Sequence, residues 1–197
     1  MTGSAAYPWT LPVQNQPAAL AASLRALVPV IKTERLILRA PELLDFAAYE
    51  TIMAADVHGY MGGPFNTEDA WLDFNQGLAG WSLRGQGMWT VTLADETVVG
   101  FVCAMSGWGD QETELGYLFL ADHHGRGFAT EACRAARDYA WDTQGETSMV
   151  SYIDPKNLTS RKLAERLGAQ VDANAPMPDD ASSEDTIVLR HLSGRRS

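Results

Sequence analysis

Cysteine is scarce in this sequence, and its scarcity limits the chemistry that we expect from it. The two cysteines, Cys103 and Cys133, lie in apolar stretches without the spacing of metal ligands. We therefore predict two reduced core thiols and exclude a disulfide framework. The neighbouring histidines His123 and His124 could bind a metal, but no third ligand stands at a suitable spacing, so we expect no metal.

Positive charge is also in short supply. The 197 residues include 15 Lys and Arg against 25 Asp and Glu, which gives a formal net charge of −10 at pH 7. Because nucleic-acid binding depends on cations that neutralise phosphates, this balance argues against a nucleic-acid partner. An acidic surface is compatible with a cationic acceptor such as an amine.

A long apolar run is missing as well. No stretch approaches the ~20 apolar residues that a helix needs to span a bilayer, so we expect no membrane partner. The first residues lack the basic segment and long apolar core of a secretion signal, and we expect a cytoplasmic location. The hydrophobic fraction of 46% and the charged fraction of 20% are ordinary for a globular protein of one domain.

Residues 1–30 are interpreted as an N-terminal arm with a short helix. Residues 1–16 are mixed in character, whereas residues 17–28 carry Leu20, Leu24 and Leu27 at helical spacing. Such a helix packs on its own domain or provides the contact of a homodimer. We favour the first interpretation and keep the homodimer as the alternative.

Residues 31–193 predict a mixed α/β domain, because strand and helix periodicities alternate along them. The strands are expected at residues 31–40, 88–93, 97–105, 114–120, 147–153 and 186–192. The helices are expected at residues 41–55, 67–81, 128–143 and 158–167. Thr67 would cap the second of these helices, and Gly168 would end the last one. This order is typical of a sheet with helices on its faces.

The stretch E-L-G-Y-L-F-L-A-D-H-H-G-R-G-F-A-T, residues 114–130, reads as a strand, a polar turn and the start of a helix. Gly125 and Gly127 lack side chains where a backbone would approach a ligand closely. The first N–H groups of the helix have no internal partner, and the positive end of the helix dipole lies beside them. We interpret the turn as a binding site for the pyrophosphate of a nucleotide cofactor.

Two common phosphate loops do not fit this turn. A Walker loop needs G-x-x-x-x-G-K-[ST], and the sequence contains no such run. A dinucleotide fingerprint needs G-x-G-x-x-G, but Gly125-Arg126-Gly127 is followed by Thr130 where the third glycine belongs. An ATP-dependent kinase or an NAD-dependent oxidoreductase is therefore a weak alternative.

A third loop matches better. The run H-H-G-R-G-F-A-T-E-A resembles the acetyl-CoA pyrophosphate loop of the GNAT superfamily of N-acetyltransferases, Q/R-x-x-G-x-G/A, with His124, Gly127 and Ala129 at its defined positions. The run E-L-G-Y before it and D-P-K-N-L-T-S-R after it resemble the ribosomal-protein N-terminal acetyltransferases. The likeness extends over residues 33–192 and starts with T-E-R-L-I-L-R.

The resemblance implies the GNAT acyl-CoA N-acyltransferase fold, a central, mostly antiparallel, splayed sheet flanked by helices. It also implies acetyl-CoA as co-substrate. Backbone groups of one strand would hold the pantetheine arm, the turn would hold the pyrophosphate, and Asn157 and Ser160 would face the cofactor near its sulfur. The residues that the resemblance assigns to CoA are Leu118, Phe119, His124, Gly125, Arg126, Gly127, Phe128, Ala129, Thr130, Asn157 and Ser160.

The family implies direct acetyl transfer, in which a neutral amine attacks the thioester and a backbone N–H stabilises the oxyanion. Since an amine is mostly protonated at neutral pH, a base is needed. Glu114 is the first candidate, with Glu112 on the same face of the strand, while some relatives place the glutamate where this chain has Thr113. Many relatives supply the acid from a tyrosine where this chain has Ala164, so Ser160 is the candidate acid.

The leading hypothesis is an acetyl-CoA-dependent N-acetyltransferase acting on a primary amine, either a peptide N-terminus or a small molecule. The alternative is a non-catalytic acyl-CoA sensor or scaffold on the same fold. Each site residue also has a structural interpretation: Glu114 as a solvated strand residue, Asn157 as a helix cap, and Ser160 as a buried hydrogen-bonding group. Acceptor selectivity is expected in residues 57–66 and 175–183. Four aromatic residues have two possible roles, as the lining of an acceptor pocket or as part of the core: Tyr60, Trp81, Trp89 and Trp108.

Overall fold

The structure is a computed structural model that describes residues 7–179, 181–182 and 184–194. Its strands are β1 (Ile31–Lys32), β2 (Ile37–Arg39), β3 (Met88–Thr92), β4 (Val98–Met105), β5 (Glu114–Phe119), β6 (Ser148–Ile153), β7 (Gln170–Val171) and β8 (Ile187–Leu192). They form one sheet in the order β1-β2-β3-β4-β5-β6-β8-β7. Neighbouring strands are antiparallel except β5 and β6, which are parallel.

Helices cover both faces of this sheet. They are α1 (Asn15–Arg25), α2 (Phe46–Ala54), α3 (Thr67–Arg84), α4 (Phe128–Tyr139) and α5 (Leu158–Arg166). Helices α4 and α5 pack with Leu115 and Met149 in one cluster of buried apolar side chains. Helices α2 and α3 pack with Phe101 in a second cluster on the opposite face. In the described part of the chain, no helix is long and apolar enough to cross a membrane.

The parallel strands β5 and β6 separate from each other soon after they meet. Their only paired register among the described residues is Glu114 with Val150, where the Val150 N–H donates to the Thr113 carbonyl at 3.0 Å. Beyond this pair the strands diverge and leave a V-shaped gap. The gap opens toward the carboxyl ends of both strands, from which the chain continues into α4 and α5.

The predicted mixed, mostly antiparallel and splayed sheet with helices on its faces is confirmed. The helix expected at residues 41–55 is instead a 3-10 turn (Leu43–Asp45) followed by α2, because the Asp45 carboxylate accepts the Glu42 N–H at 2.8 Å and forms a capping box there. Asn66 caps α3, since its side chain accepts the Asp69 N–H. The Thr67 hydroxyl binds Glu50 instead.

The N-terminal arm differs from its prediction in one respect. Residues 1–6 lie outside the described residues, and Trp9 packs edge-on against Trp71. The leucines that favoured a helix packed on its own domain are exposed: Leu20 by 62%, Leu24 by 57% and Leu27 by 80%. The leucines therefore do not form the face by which α1 contacts the domain, and the packing of α1 on its own domain stays a prediction. The homodimer and the boundary between arm and domain stay predictions.

Candidate active site

The turn before α4 is open and lined by main chain. Gly125 and Gly127 have φ values of +72° and +82°, the left-handed region that side chains disfavour. A Cβ atom at Gly125 would meet no atom within 4 Å, so the turn faces open space. Gly127 caps α4 without a side-chain hydrogen bond. Within the described residues, the backbone N–H groups from Gly125 to Thr130 have no hydrogen-bond partner.

A clamp from the turn between β1 and β2 holds this loop in place. The Glu131 carboxylate accepts the Thr33 hydroxyl at 2.6 Å and the Arg35 N–H at 2.9 Å. The Arg35 guanidinium lies 2.7 Å from the same carboxylate and donates to the Arg126 carbonyl at 3.0 Å. It also lies over the Phe128 ring, 4.9 Å from the centroid. Arg35 therefore links the first turn of α4 to the loop before it.

The side chain of His124 closes the loop from the other side. Its Nε2 donates to the Phe119 carbonyl at 2.9 Å, at the end of β5. The neighbouring His123 Nδ1 lies 3.3 Å from the Arg126 guanidinium. Both histidines thus have contacts within the loop, and among the described residues no group of His, Cys, Asp or Glu could hold a metal.

The register of β5 decides which backbone groups face the gap. The Leu120 N–H donates to the Val99 carbonyl at 3.0 Å, and Leu118 is the partner of Phe101. Because bonded pairs alternate along an antiparallel ladder, Leu118 directs its backbone groups to β4. Tyr117 and Phe119 direct theirs to the gap. The register therefore favours Tyr117 over Leu118 as a backbone contact of an arm in the gap, and the contact with the arm stays a prediction.

The first turn of α5 lies at the open end of the gap. Asn157 caps this helix, and its Oδ1 accepts the Ser160 N–H at 3.1 Å. The Tyr117 hydroxyl donates to the Ser160 carbonyl at 2.9 Å and thereby fixes the turn to β5. In the part of the chain that the structure describes, the Asn157 Nδ2 has no hydrogen-bond partner, whereas the Ser160 side chain interacts with Tyr117 and opposes the rise of the Tyr117 pKa on burial. Both side chains are half-buried.

Glu114 lies at the closed end of the gap, on the face that α2 and α3 cover. Desolvation, with a smaller contribution from the nearby charge of Asp110, raises the pKa of Glu114 to about 8. A hydrogen bond from the Tyr152 backbone opposes this shift. A Cβ atom at Gly116 would lie 2.8 Å from the Cys103 Sγ and 3.8 Å from the Glu114 Cδ, so the glycine makes room for the thiol, while a side chain there would only touch the carboxyl.

Further acidic groups lie around the Cys103 thiol, beside Glu114. The Tyr49 hydroxyl donates to the Asp73 carboxylate, and burial raises the Asp73 pKa above its usual value. Burial also raises the pKa of the Cys103 thiol, and the charges of Glu114, Asp110 and Asp73 add to this shift. These three carboxyl groups therefore lie within electrostatic reach of one thiol.

The other candidates for the base have partners of their own. The Arg190 guanidinium forms a bidentate pair with Glu112 at 2.6 and 2.7 Å. The Thr113 hydroxyl donates to Glu146 at 2.9 Å. Glu114 is therefore the least engaged of these side chains, because the structure gives it no ion pair among the described residues.

Aromatic residues divide between core and surface. Trp89 is completely buried, and the Trp81 ring packs edge-on against it at 4.6 Å between centroids, so both belong to the core. Trp108 is 77% exposed, and Tyr60 lies in the loop before α3.

The sequence analysis did not predict Arg35 and Glu131 as supports of the loop before α4. Arg35 belongs to the T-E-R run within the strand predicted at residues 31–40, and a strand pattern does not reveal a contact with Glu131 on another element.

Comparison with known proteins agrees with this geometry. The family model described as an acetyltransferase (GNAT) domain matches residues 35–170. An acetyltransferase from Agrobacterium tumefaciens str. C58 is 35% identical, with a TM-score of 0.78 over 84% of this chain and 95% of that chain. The protein YkkB from Bacillus subtilis (strain 168) is 30% identical over 146 residues, which are 69% of this chain and 82% of YkkB.

A more distant structure shares the fold. RimL, a ribosomal L7/L12 alpha-N-protein acetyltransferase in complex with coenzyme A, is 14% identical, with a TM-score of 0.66 over 83% of this chain and 98% of that chain. The family match spans more than half of the sequence and includes the open loop, the gap and α5. The chain therefore belongs to the GNAT acetyltransferase family.

Proposed function

We propose that the protein is an acetyl-CoA-dependent N-acetyltransferase that transfers an acetyl group to a primary amine. The observation that carries this proposal is the row of backbone N–H groups from Gly125 to Thr130, at the open end of the gap, that have no partner in the described part of the chain. Adjacent N–H donors at a helix start favour a ligand with several phosphate oxygens. A pyrophosphate attached to an extended arm fits both the loop and the gap beside it.

The edge of β5 supports the place of that arm. Tyr117 presents its backbone groups to the gap, and Phe119 presents its N–H, since its carbonyl accepts from His124. An amide-containing chain can pair with these groups as an added strand. The strands meet at Glu114 and Val150, which closes the gap. An arm that enters from the loop would therefore direct its thioester end toward Glu114.

The residues at the closed end support amine chemistry. The amine nitrogen attacks the thioester carbonyl carbon, the carbon–sulfur bond breaks, and a proton of the amine must leave. Glu114 would accept this proton, since a carboxyl with a pKa of about 8 is an effective base near neutral pH. Ser160 would return a proton to the thiolate, because the Tyr117 hydroxyl holds the turn of Ser160 against β5, beside the path of the arm.

The charge near Glu114 supports a cationic acceptor. Asp73 and Asp110 add acidic groups on the same face of the sheet, and a protonated amine would be attracted to them before it loses its proton. This negative charge agrees with an amine as the acceptor. A peptide N-terminus and a small amine both carry the positive charge that it would attract.

The test is a thiol-release assay with acetyl-CoA and a panel of peptides, polyamines and small amines. We expect release that depends on one class of acceptor and is lost in Glu114→Gln. Tight CoA binding without turnover across the panel would favour the alternative, a non-catalytic acyl-CoA sensor. Thermal shift should show stabilisation by CoA but not by NAD or ATP. Stabilisation by either nucleotide alone would contradict the proposal.

A further inference from the structure

Side chains replace the backbone ladder at the point where β5 and β6 separate. The Thr113 carbonyl accepts the Val150 N–H at 3.0 Å. In a regular parallel ladder the next bond of this kind lies two residues further along both strands, and it would join the Leu115 carbonyl to the Tyr152 N–H. Within the described residues, the pairing of the two strands ends before this bond. Both of these backbone groups therefore need other partners.

A side chain provides the partner of each group. The Ser151 hydroxyl donates to the Leu115 carbonyl at 2.9 Å. The Tyr152 N–H donates to the Glu114 carboxyl. Ser151 is only 1% exposed, so water does not compete for its hydroxyl. Because buried backbone groups need hydrogen bonds, these two contacts stabilise the strands in their separated arrangement.

A buried histidine orients the Ser151 hydroxyl from behind. The His191 Nε2 lies 3.1 Å from the Ser151 Oγ. Since the one hydroxyl proton of Ser151 goes to Leu115, the Nε2 carries a proton and donates it to the Oγ. Burial, with a smaller contribution from the charge of Arg137, lowers the pKa of His191 to about 4, so the imidazole is neutral near neutral pH. Its Nδ1 then carries no proton, and in the described part of the chain this atom has no acceptor to receive one.

We propose that Ser151, oriented by His191, is a positioning residue that keeps β5 and β6 apart. Its hydroxyl occupies the carbonyl that would otherwise pair with the Tyr152 N–H. The backbone groups of Tyr117, which face the gap, then stay available to the arm of the acyl cofactor. This inference rests on the proposed function, because it takes the gap as the site of that arm.

Loss of the hydroxyl should extend the ladder into the gap. In Ser151→Ala the buried Leu115 carbonyl loses its side-chain donor, and the Tyr152 N–H is the backbone donor that the strand register brings to it. The following bond of the same ladder joins the Tyr117 N–H to the Tyr152 carbonyl. The Tyr117 N–H would then be protected from solvent in the free protein and would no longer be available to the arm.

The experiment combines residue-resolved amide hydrogen exchange by NMR with calorimetry on the full chain. In free Ser151→Ala we expect the Tyr117 N–H to exchange about tenfold more slowly than in the wild-type chain, since it gains a hydrogen bond. We expect CoA to bind this variant about tenfold more weakly. The probe 3′-phospho-ADP, which is CoA without its arm, should bind both proteins equally.

Three further variants separate this role from a general loss of stability. Thr92→Val also removes a buried strand hydroxyl, which donates to the Ile37 carbonyl at 3.5 Å, but β4 separates its strand from β5. It should leave both measurements unchanged. Ser151→Thr keeps the hydroxyl and should restore the wild-type exchange rate and CoA affinity. His191→Leu removes the donor behind Ser151 and should change both measurements in the same direction as Ser151→Ala.

An unchanged or faster exchange of the Tyr117 N–H in Ser151→Ala would overturn the inference. Equal weakening of CoA and 3′-phospho-ADP would overturn it too. In both cases the proposed function stands if the wild-type chain binds CoA and is active in the thiol-release assay. A wild-type chain that binds no CoA would contradict the proposed function itself. If Ser151→Ala does not fold, His191→Leu decides by the same two measurements.

Discussion

Glu114 is a carboxyl group whose surroundings favour its protonated form. Desolvation and the charge of Asp110 raise its pKa to about 8. Only the ionised form can accept a proton, so kcat should rise with pH and level off above about pH 8. Glu114→Gln should lower kcat about 10²- to 10⁴-fold and leave the KM for acetyl-CoA nearly unchanged. The measurement is steady-state kcat and KM as a function of pH for both proteins, with the acceptor identified in the panel.

Asp110→Asn is the matched variant for that experiment. It removes a negative charge near Glu114 and should move the midpoint of the pH profile to lower pH. A Glu114→Gln variant with the wild-type rate would exclude Glu114 as the base.

The same carboxyl group makes the stability of the protein depend on pH. Its pKa is about 8 in the folded chain against a usual value of 4.5, so between these values the folded state holds a proton that the unfolded chain has released. The free energy of unfolding therefore falls as pH rises through this window. Glu114→Gln should lack this contribution. Urea unfolding of both proteins at the two ends of the window measures it, and parallel pH dependences would contradict the prediction.

Gly127 tests the placement of the pyrophosphate loop. A glutamate there adds a negative charge among the backbone N–H groups of the loop, and its Cβ would lie 3.3 Å from the Arg35 guanidinium. We expect Gly127→Glu to weaken CoA binding at least about 100-fold. Gly145→Glu is the control, because Gly145 has a similar φ of +79° and open space around it. Calorimetry that finds equal CoA affinity for the two variants would remove the loop from the site.

The clamp formed by Arg35 and Glu131 connects two elements of the fold, the β1–β2 turn and α4. Arg35 joins Glu131 to the Arg126 carbonyl, so it fixes the loop relative to the helix. We expect Arg35→Ala to lower the free energy of unfolding by about 1 kcal/mol, since the guanidinium is partly exposed. It should also raise the Kd of CoA several-fold.

The control for the clamp is Arg161→Ala, which breaks an exposed pair within α5. Urea unfolding and calorimetry on both variants separate the effects. If Arg35→Ala alters neither quantity more than the control, the clamp does not position the loop.

Helix α1 bears on the oligomeric state of the whole molecule. Its exposed leucines are compatible with a contact between two copies of the chain. The homodimer interpretation predicts a particle of twice the chain mass of 21.5 kDa. It also predicts that Leu20→Lys/Leu24→Lys is a monomer with an unchanged melting temperature. Light scattering after size exclusion measures both, and a monomeric wild-type chain contradicts the interpretation.

Local patterns determined much of the fold. The strands and helices around the loop lie close to their predicted bounds, because hydrophobic periodicity and the glycines at the turn act over a few residues. The open turn at Gly125 and Gly127 was also expected from sequence, since their left-handed conformations are disfavoured for other residues.

Only the tertiary structure decided the features that depend on distant residues. The register of β5 against β4 directs the backbone groups of Tyr117, and not those of Leu118, to the gap. A hydrophobic strand pattern does not show which residues direct their backbone groups to which neighbour. The pKa of Glu114 reflects burial and the position of Asp110, and Arg35 meets Glu131 across 96 residues of chain. Such contacts arise from packing between elements, whereas the sequence by itself encodes each element and its ends.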